Sequence, residues 1–319
     1  MTQAQAQFTK ETGTDGSFQR QQSAFRDQVR ADGSTDYPAA AGRYHLYVCA
    51  ACPWAHRAII VRRLKGLEGA IGMTIVDPIR DERGWRFITG DAPDDPANGE
   101  RDPINGWSYL SEGYLATDPT FDGRVTVPTL WDTETGRVVN NESSDVIRML
   151  NSEFNEFAEH PELDFYPQEL RVEIDSVNEW VYDTVNNGVY RCGFATSQAA
   201  YDEAFYALFA SLDRLDGMLA ERRYLAGDRI TEADVRLFTT LVRFDAAYVG
   251  HFKCNQRRIV DYANLWPYAR ELYQLDGVAE TVDFDHIKRH YYMTHEQINP
   301  SRIVPNGPVV DWNEPHDRG

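Results

Sequence analysis

Cysteine is scarce in this chain, with four among 319 residues. Four scattered thiols in a chain this long do not make a disulfide framework, so a cross-linked secreted scaffold is not expected and a reducing cytoplasm is the simplest compartment. Basic residues are also in short supply. Lys and Arg total 32 against 50 Asp and Glu, for a net charge of -18. Nucleic acid and anionic membrane surfaces both require a basic footprint, so neither is expected as a partner. No run of about 18 apolar residues occurs, which excludes a membrane-spanning helix. The first 30 residues are polar and Gln-rich without an apolar core, so no signal peptide is expected.

What the chain does have is the apolar content of a globular protein, 42%, with 17 Tyr, 15 Phe and 7 Trp. Its length suffices for two domains with a sizeable core each. Residues 1–40 are polar and read as an extended arm. The alternation of Tyr44, Leu46 and Val48 with His45 and Tyr47 predicts a strand. A helix follows to about Lys65, ended by Gly66 and Gly69, and Met73–Val76 is a second strand, parallel to the first if they share a sheet. Residues 77–121 are rich in Asp, Pro and Gly and too long for an ordinary connection, so they are either functional or partly helical. Val125–Trp131 predicts a strand, Asp132–Gly136 a hairpin turn, and Arg137–Val139 the returning strand. Asn140–Asp145 is rich in cap-forming residues and opens a helix through Leu150.

Strand signals stop past about Pro161. Tyr201, Phe205, Leu208, Leu212, Leu215 and Leu219 form one apolar face of a long helix. Thr231-Glu232-Ala233-Asp234 predicts a capping box with Asp in place of Glu. The domain reading is therefore an arm over 1–40, an α/β domain over 41–160, an all-helical domain over 161–285, and an irregular, proline-bearing tail over 286–319.

The stretch of greatest chemical content is Cys49-Ala50-Ala51-Cys52-Pro53-Trp54-Ala55-His56-Arg57, at the first strand-to-helix junction. Pro53 suits the first helical position because it lacks the N–H that would be unsatisfied there. Cys52 then becomes the cap residue, its sulfur facing free N–H groups and the positive end of the helix dipole, which favours a reactive thiolate. For Cys49 the expectation is a small buried residue at the strand end. The C-x-x-C spacing also allows a disulfide between the two. The usual dithiol motif, however, has its second cysteine three residues after the nucleophile, where this chain has Ala55. A zinc site would want four ligands, and no second Cys/His pair is suitably spaced, so no metal is expected. His56, one turn after Cys52, either assists the thiolate or occupies an exposed helix position.

The order βαβ, Val-Pro strand, hairpin, acidic-Ser helix start and helical domain resembles the glutathione transferases. Cys52–Arg57, Asp81–Phe87, Thr126–Asp132, Asn140–Ser144, Asn187–Ala195, His286–Tyr292, Asn299-Pro300 and Ile303–Pro308 are similar to the motifs of the glutathionyl-hydroquinone reductases, the Xi class of that superfamily. The resemblance covers nearly the whole chain. It implies a thioredoxin-like α/β N-terminal domain, an all-α C-terminal domain, and a tail near the substrate site. It further implies a homodimer that uses glutathione as co-substrate, without a metal.

The roles implied by the resemblance fall on individual residues. Cys52 would be the nucleophile. Val127, before a cis-proline at Pro128, would present its backbone to the cysteinyl amide of glutathione, as peptides pair with strand edges. Glu142 and Ser143 would hold the γ-glutamyl end, Trp85 would wall the thiol site, and Arg124 would help bind the peptide. Tyr190 and either Tyr291 or its neighbour Tyr292 would donate hydrogen bonds to the quinol oxygens. The implied activity is reduction of glutathionyl-hydroquinones through a Cys52–glutathione mixed disulfide. The alternatives are a general thiol transferase or dehydroascorbate reductase, and a non-catalytic scaffold of the same fold. The aromatics of 85–114 favour a dedicated aromatic site over the first. Recognition of a γ-glutamyl group is also compatible with another γ-glutamyl thiol, such as γ-glutamylcysteine.

Overall fold

The computed structural model describes residues 9–87 and 101–318. The first eight residues of the arm and residues 88–100 of the long connection lie outside it. The chain forms two compact units. A sheet unit comprises the described residues of Gln21–Asp164 and Thr281–His286, and a helical unit comprises those of Met1–Arg20, Phe165–Glu280 and Ile287–Gly319.

The sheet unit holds β1 (Tyr44–Val48), α1 (Pro53–Leu64), β2 (Gly72–Ile75), α2 (Ser111–Thr117), β3 (Thr129–Asp132), β4 (Arg137–Asn140) and α3 (Ser143–Ser152). The four strands lie in the order β2-β1-β3-β4, with β1 parallel to β2 and the other pairs antiparallel. β1 is buried along its whole length, as its run of apolar and aromatic residues requires. α1 buries Ala55, Ala58, Ile59, Ile60 and Val61, and it packs on α3. Its end matches the expected glycine stop. Gly66 takes a left-handed φ of 62°, and Leu67 N–H closes back on Arg62 O at 3.0 Å. Any side chain at Gly66 would meet Glu159, whose Cβ lies 2.5 Å from the position of an added Cβ.

From Gln21 onward the arm belongs to the sheet unit. Its backbone runs along β4: Asp27 N–H donates to Val139 O and Asn141 N–H to Phe25 O, both at 3.0 Å. Val29 is fully buried. The long connection is partly helical, as α2. Its aromatics serve the interior of this unit: Trp107 meets Trp131 edge-on at 4.7 Å, and Phe87 packs against Tyr47.

The helical unit holds α4 (Arg171–Val181), α5 (Gly188–Gly193), α6 (Gln198–Leu219), α7 (Glu232–Arg243) and α8 (Leu265–Tyr273); α9 (Phe284–Thr294) carries the chain onward. α6 buries Leu208, Leu212, Leu215 and Leu219, as its apolar spacing predicts, while Tyr201 and Phe205 of the same predicted face are only half-buried. The capping box at Thr231 and Asp234 forms. The irregular tail expected from His286 needs correction. It is helical to Thr294, because Ile287, His290 and Tyr291 supply a buried face at helical spacing, a pattern the prolines downstream obscure. Two segments, Tyr182–Asn186 and Phe244–Tyr248, are wound as π-helix. No helix among the described residues is long and apolar enough to cross a membrane.

Candidate active site

The thiol lies where β1 hands over to α1. Cys52 is the N-cap of α1, with extended backbone (φ -80°, ψ 121°), and Pro53 fills the first helical turn. The sulfur differs from expectation in one respect. It makes no capping bond to the helix N–H groups; its thiol instead donates to Val127 O at 3.6 Å. Cys52 is half-buried, whereas Cys49 is buried. His56 is fully buried and shares a 2.8 Å hydrogen bond with Thr281 Oγ1, so the exposed position considered for it is not the one it occupies.

Val127 precedes a cis peptide bond to Pro128, just ahead of β3. This loop is pinned from α2. Tyr114, buried, donates to Thr126 O at 2.7 Å, and Thr129 Oγ1 donates to the same carbonyl at 2.9 Å. Asn141 Nδ2 in turn donates to Tyr114 Oη and Thr126 Oγ1. The loop that meets the thiol is thus held by a phenol from a neighbouring helix.

Glu142 is the N-cap of α3. Its carboxylate accepts from Ser144 N–H at 3.1 Å and Ser144 Oγ at 3.0 Å, and from Ser23 Oγ of the arm at 2.9 Å. Ser143, almost fully buried, accepts a hydrogen bond from Arg57 Nη1 at 3.2 Å. Arg57 lies on α1, buried, with its guanidinium 4.5 Å from the Trp54 ring. Arg124 is held through its backbone by Gln21, which accepts from Arg124 N–H at 2.9 Å and donates to Arg124 O at 2.7 Å. Trp85 is nearly buried, with Arg80 over its ring. Sequence reasoning missed Ser23, Gln21, Arg57 and Tyr114. The arm residues carry no local signal, since their partners lie about a hundred residues downstream.

Three tyrosines cluster within the helical unit. Tyr190 and Tyr291 share a hydroxyl–hydroxyl bond of 2.7 Å, and Tyr248 and Tyr291 one of 2.9 Å. Arg20 stacks over the Tyr190 ring at 4.7 Å. Tyr190 follows the first π segment and Tyr248 closes the second, the kind of irregularity common at functional sites. Tyr292 is set apart from this cluster, its hydroxyl close to Gly250. Burial holds the phenols of Tyr248 and Tyr291 well above the usual range, so both stay protonated donors. Beside them His251 Nε2 and His295 Nδ1 are 3.1 Å apart. Burial and Lys253 pull His251 down to about 3. No group of three or more His, Cys, Asp or Glu among the described residues is placed to hold a metal ion.

The thiol thus belongs to a cysteine that caps a helix beside a cis X-Pro segment, within a unit of βαβ-β-β order. Residues 51–153 match the model of the glutathione S-transferase N-terminal domain, and residues 198–271 that of the C-terminal domain. The glutathionyl-hydroquinone reductase YqjG of Escherichia coli strain K12 is 50% identical over 317 residues, 97% of this chain and 94% of its own. The chain belongs to the glutathione S-transferase family, in its Xi class. A Xi-class transferase structure from Natrialba magadii shares 49% identity, with a TM-score of 0.88 and 95% of each chain covered. The glutathione-bound structure of YqjG shares 49% identity, with a TM-score of 0.87 and 92% of this chain and 96% of that one covered. The thioredoxin-like fold with a helical C-terminal region is that of this Xi-class chain also.

Proposed function

We propose that this transferase reduces glutathionyl-hydroquinones to hydroquinones, with glutathione as reductant. The observation that carries the reading is Cys52 at the α1 N-cap with its thiol on Val127 O, 3.6 Å away. The sulfur thereby lies beside a backbone that can pair with a peptide. The Val127 N–H has no partner among the described residues, so it is available to the cysteinyl carbonyl of glutathione while Val127 O receives the amide. Glu142 would meet the γ-glutamyl ammonium, and Ser143 with the α3 N–H groups its carboxylate. Because Arg57 donates to Ser143 Oγ, the Ser143 proton is directed elsewhere and can be given to that carboxylate. Trp85 walls the thiol, Arg124 supports the peptide, and Pro128 sets the loop.

Cys52 thiolate attacks the sulfur of the conjugate. The carbon–sulfur bond breaks with both electrons going to the ring carbon, which takes a proton. The products are the hydroquinone and a Cys52–glutathione mixed disulfide. A second glutathione attacks this disulfide, releasing oxidised glutathione and Cys52. Tyr190 and Tyr291 donate hydrogen bonds to the quinol oxygens as charge develops on the ring. The reading includes a homodimer, which sedimentation would test, and a reducing cytoplasm, where glutathione stays a thiol.

The deciding experiment measures hydroquinone release from glutathionyl-menadiol by wild type and Cys52→Ala with glutathione supplied. Turnover that vanishes in the variant is the expected result. No wild-type turnover with either glutathione or γ-glutamylcysteine would move the function to general disulfide reduction or to a scaffold.

A further inference from the structure

Cys49 has no part in that cycle. It sits at the C-terminal end of β1, fully buried. Two observations make it more than a packing residue. The first is the turn that joins it to Cys52. Cys52 N–H donates to Cys49 O at 3.0 Å. A turn closed by such a bond holds its first and last Cα atoms within about 7 Å, and a disulfide spans Cα separations of about 4.4 to 6.8 Å. The second is His286. Its Nδ1 lies 3.9 Å from Cys49 Sγ, and its ring is only half-buried. The six-residue segment that carries His286 also carries Thr281, the partner of His56 on α1. One short segment therefore reaches both the Cys49 sulfur and the first turns of the helix that Cys52 caps.

We propose that Cys49 is a resolving thiol, able to displace glutathione from Cys52 and form a Cys49–Cys52 disulfide, with His286 taking the Cys49 proton. This rests on Cys52 being the thiol that accepts glutathione. With its own proton on Nε2, His286 accepts the Cys49 proton at Nδ1. The Cys49 sulfur attacks the Cys52 sulfur of the mixed disulfide, the Cys52–glutathione S–S bond breaks, and glutathione leaves as a thiolate that takes up a proton. No net electrons are exchanged in this step: one disulfide and one thiol become another disulfide and another thiol. Two molecules of glutathione then reduce the internal disulfide and leave as oxidised glutathione. Burial of Cys49 makes the step selective, since an external disulfide meets Cys52 first and Cys49 is reached only by its neighbour. Cys49 stands three residues before the nucleophile rather than three after, so it attacks from the strand side instead of from within the helix. When glutathione is scarce, the enzyme would rest as an internal disulfide rather than as an adduct that holds a glutathione.

The test treats reduced full-length protein with stoichiometric glutathione disulfide and follows intact mass with time, with peptide mapping of the product. Mapping is needed because Cys254 has the Cys192 thiol beside it in the helical unit, a second pair that could oxidise. Wild type is expected to pass through a glutathionyl adduct to a species lacking two hydrogens, with the bridge mapped to Cys49 and Cys52. Cys49→Ser, nearly isosteric, should stop at the adduct on Cys52. His286→Asn should form the adduct at the wild-type rate but convert it about tenfold more slowly, a split that general loosening of the fold would not produce. A wild-type adduct as long-lived as that of Cys49→Ser, or a bridge mapped only to Cys192 and Cys254, would overturn the proposal. Hydroquinone release is not part of this readout. An enzyme inert toward glutathionyl-menadiol that still forms the Cys49–Cys52 bridge would sink the reductase reading and leave this one standing.

Discussion

Ser143 and Tyr248 carry the sharpest expectations for single side chains. Ser143 Oγ is held by Arg57 at the start of α3. Replacing it with alanine removes one charge-assisted hydrogen bond to the proposed γ-glutamyl carboxylate, worth about 1.5 kcal/mol. Ser143→Ala should therefore raise KM for glutathione about tenfold with kcat little changed, since that bond is the same in ground and transition states. Steady-state kinetics at varied glutathione check this. The tyrosines should behave differently. Tyr291 bonds both other hydroxyls of its cluster, while Tyr248 bonds Tyr291. Tyr291→Phe should lower kcat by about 10²-fold if it donates to the reacting oxygen. Tyr248→Phe should lower it by less, because its hydroxyl acts through that of Tyr291. Equal losses in the two variants would mean that Tyr248 also meets the substrate. In the sequence, Tyr190 and Tyr291 are singled out only by long motifs similar to those of a known class, and the structure brings their hydroxyls together. Tyr248 is not singled out, because a lone tyrosine in a helix has no local mark of function.

At the scale of elements, the start of α7 is the best-defined joint of the helical unit. Asp234 is fully buried and accepts from Leu225 N–H, Thr231 N–H, Thr231 Oγ1 and Tyr268 Oη, all between 2.8 and 3.0 Å. Burial pushes its carboxyl up, and the hydrogen bonds oppose that push. Asp234→Ala leaves buried donors without an acceptor and should cost about 3 kcal/mol or more. Urea denaturation would measure this, and a midpoint unchanged from wild type would show the joint to be expendable. The capping box was readable because its partners are three residues apart. The link to Tyr268 was not, since it joins α7 to α8 across 34 positions. The same contrast holds at the thiol loop. The strand over Val125–Trp131 was expected, but its regular part begins only at Thr129. Residues 126–128 are given over to the bonds with Tyr114 and Cys52, and Pro128 cannot donate to a ladder.

For the molecule as a whole, His251 contributes one part of the pH dependence of stability, beside the buried His45 and lowered carboxylates such as Asp132 and Glu271. Buried beside His295, with Lys253 adding repulsion, His251 is held neutral down to about 3. The unfolded chain binds a proton there near its ordinary value of about 6.5. Between these values the unfolded state carries more protons, so stability rises with pH. His251 thus places no load on the fold above about pH 6.5 and destabilises it progressively as pH falls toward about 3. The loss over that window is on the order of a few kcal/mol. His251→Asn should flatten the acid limb of a Tm-against-pH curve while lowering the plateau at neutral pH. An acid limb of unchanged slope would assign the loss to His45 or to carboxylates elsewhere.

Local chemistry in the chain determined its strands, its capped helices and the position of the thiol. β1 and the hairpin follow from alternation and turn residues, α1 and α6 from apolar spacing, and the Cys52 cap from the proline after it. These are near-neighbour effects, and near neighbours are what a sequence displays. The tertiary structure decided what no window contains. The arm from Gln21 lies along β4 and reaches Arg124 and Glu142. Of the aromatics over 85–114, Phe87, Trp107 and Tyr114 pack within the sheet unit, because a core needs bulk wherever the chain brings it. The tail expected to be irregular begins as a helix, and its Tyr291 meets two phenols from residues 43 and 101 positions away. The direction of the Cys52 sulfur was also decided there. The helix N-terminus invites it, but the folded loop brings Val127 O to the sulfur instead.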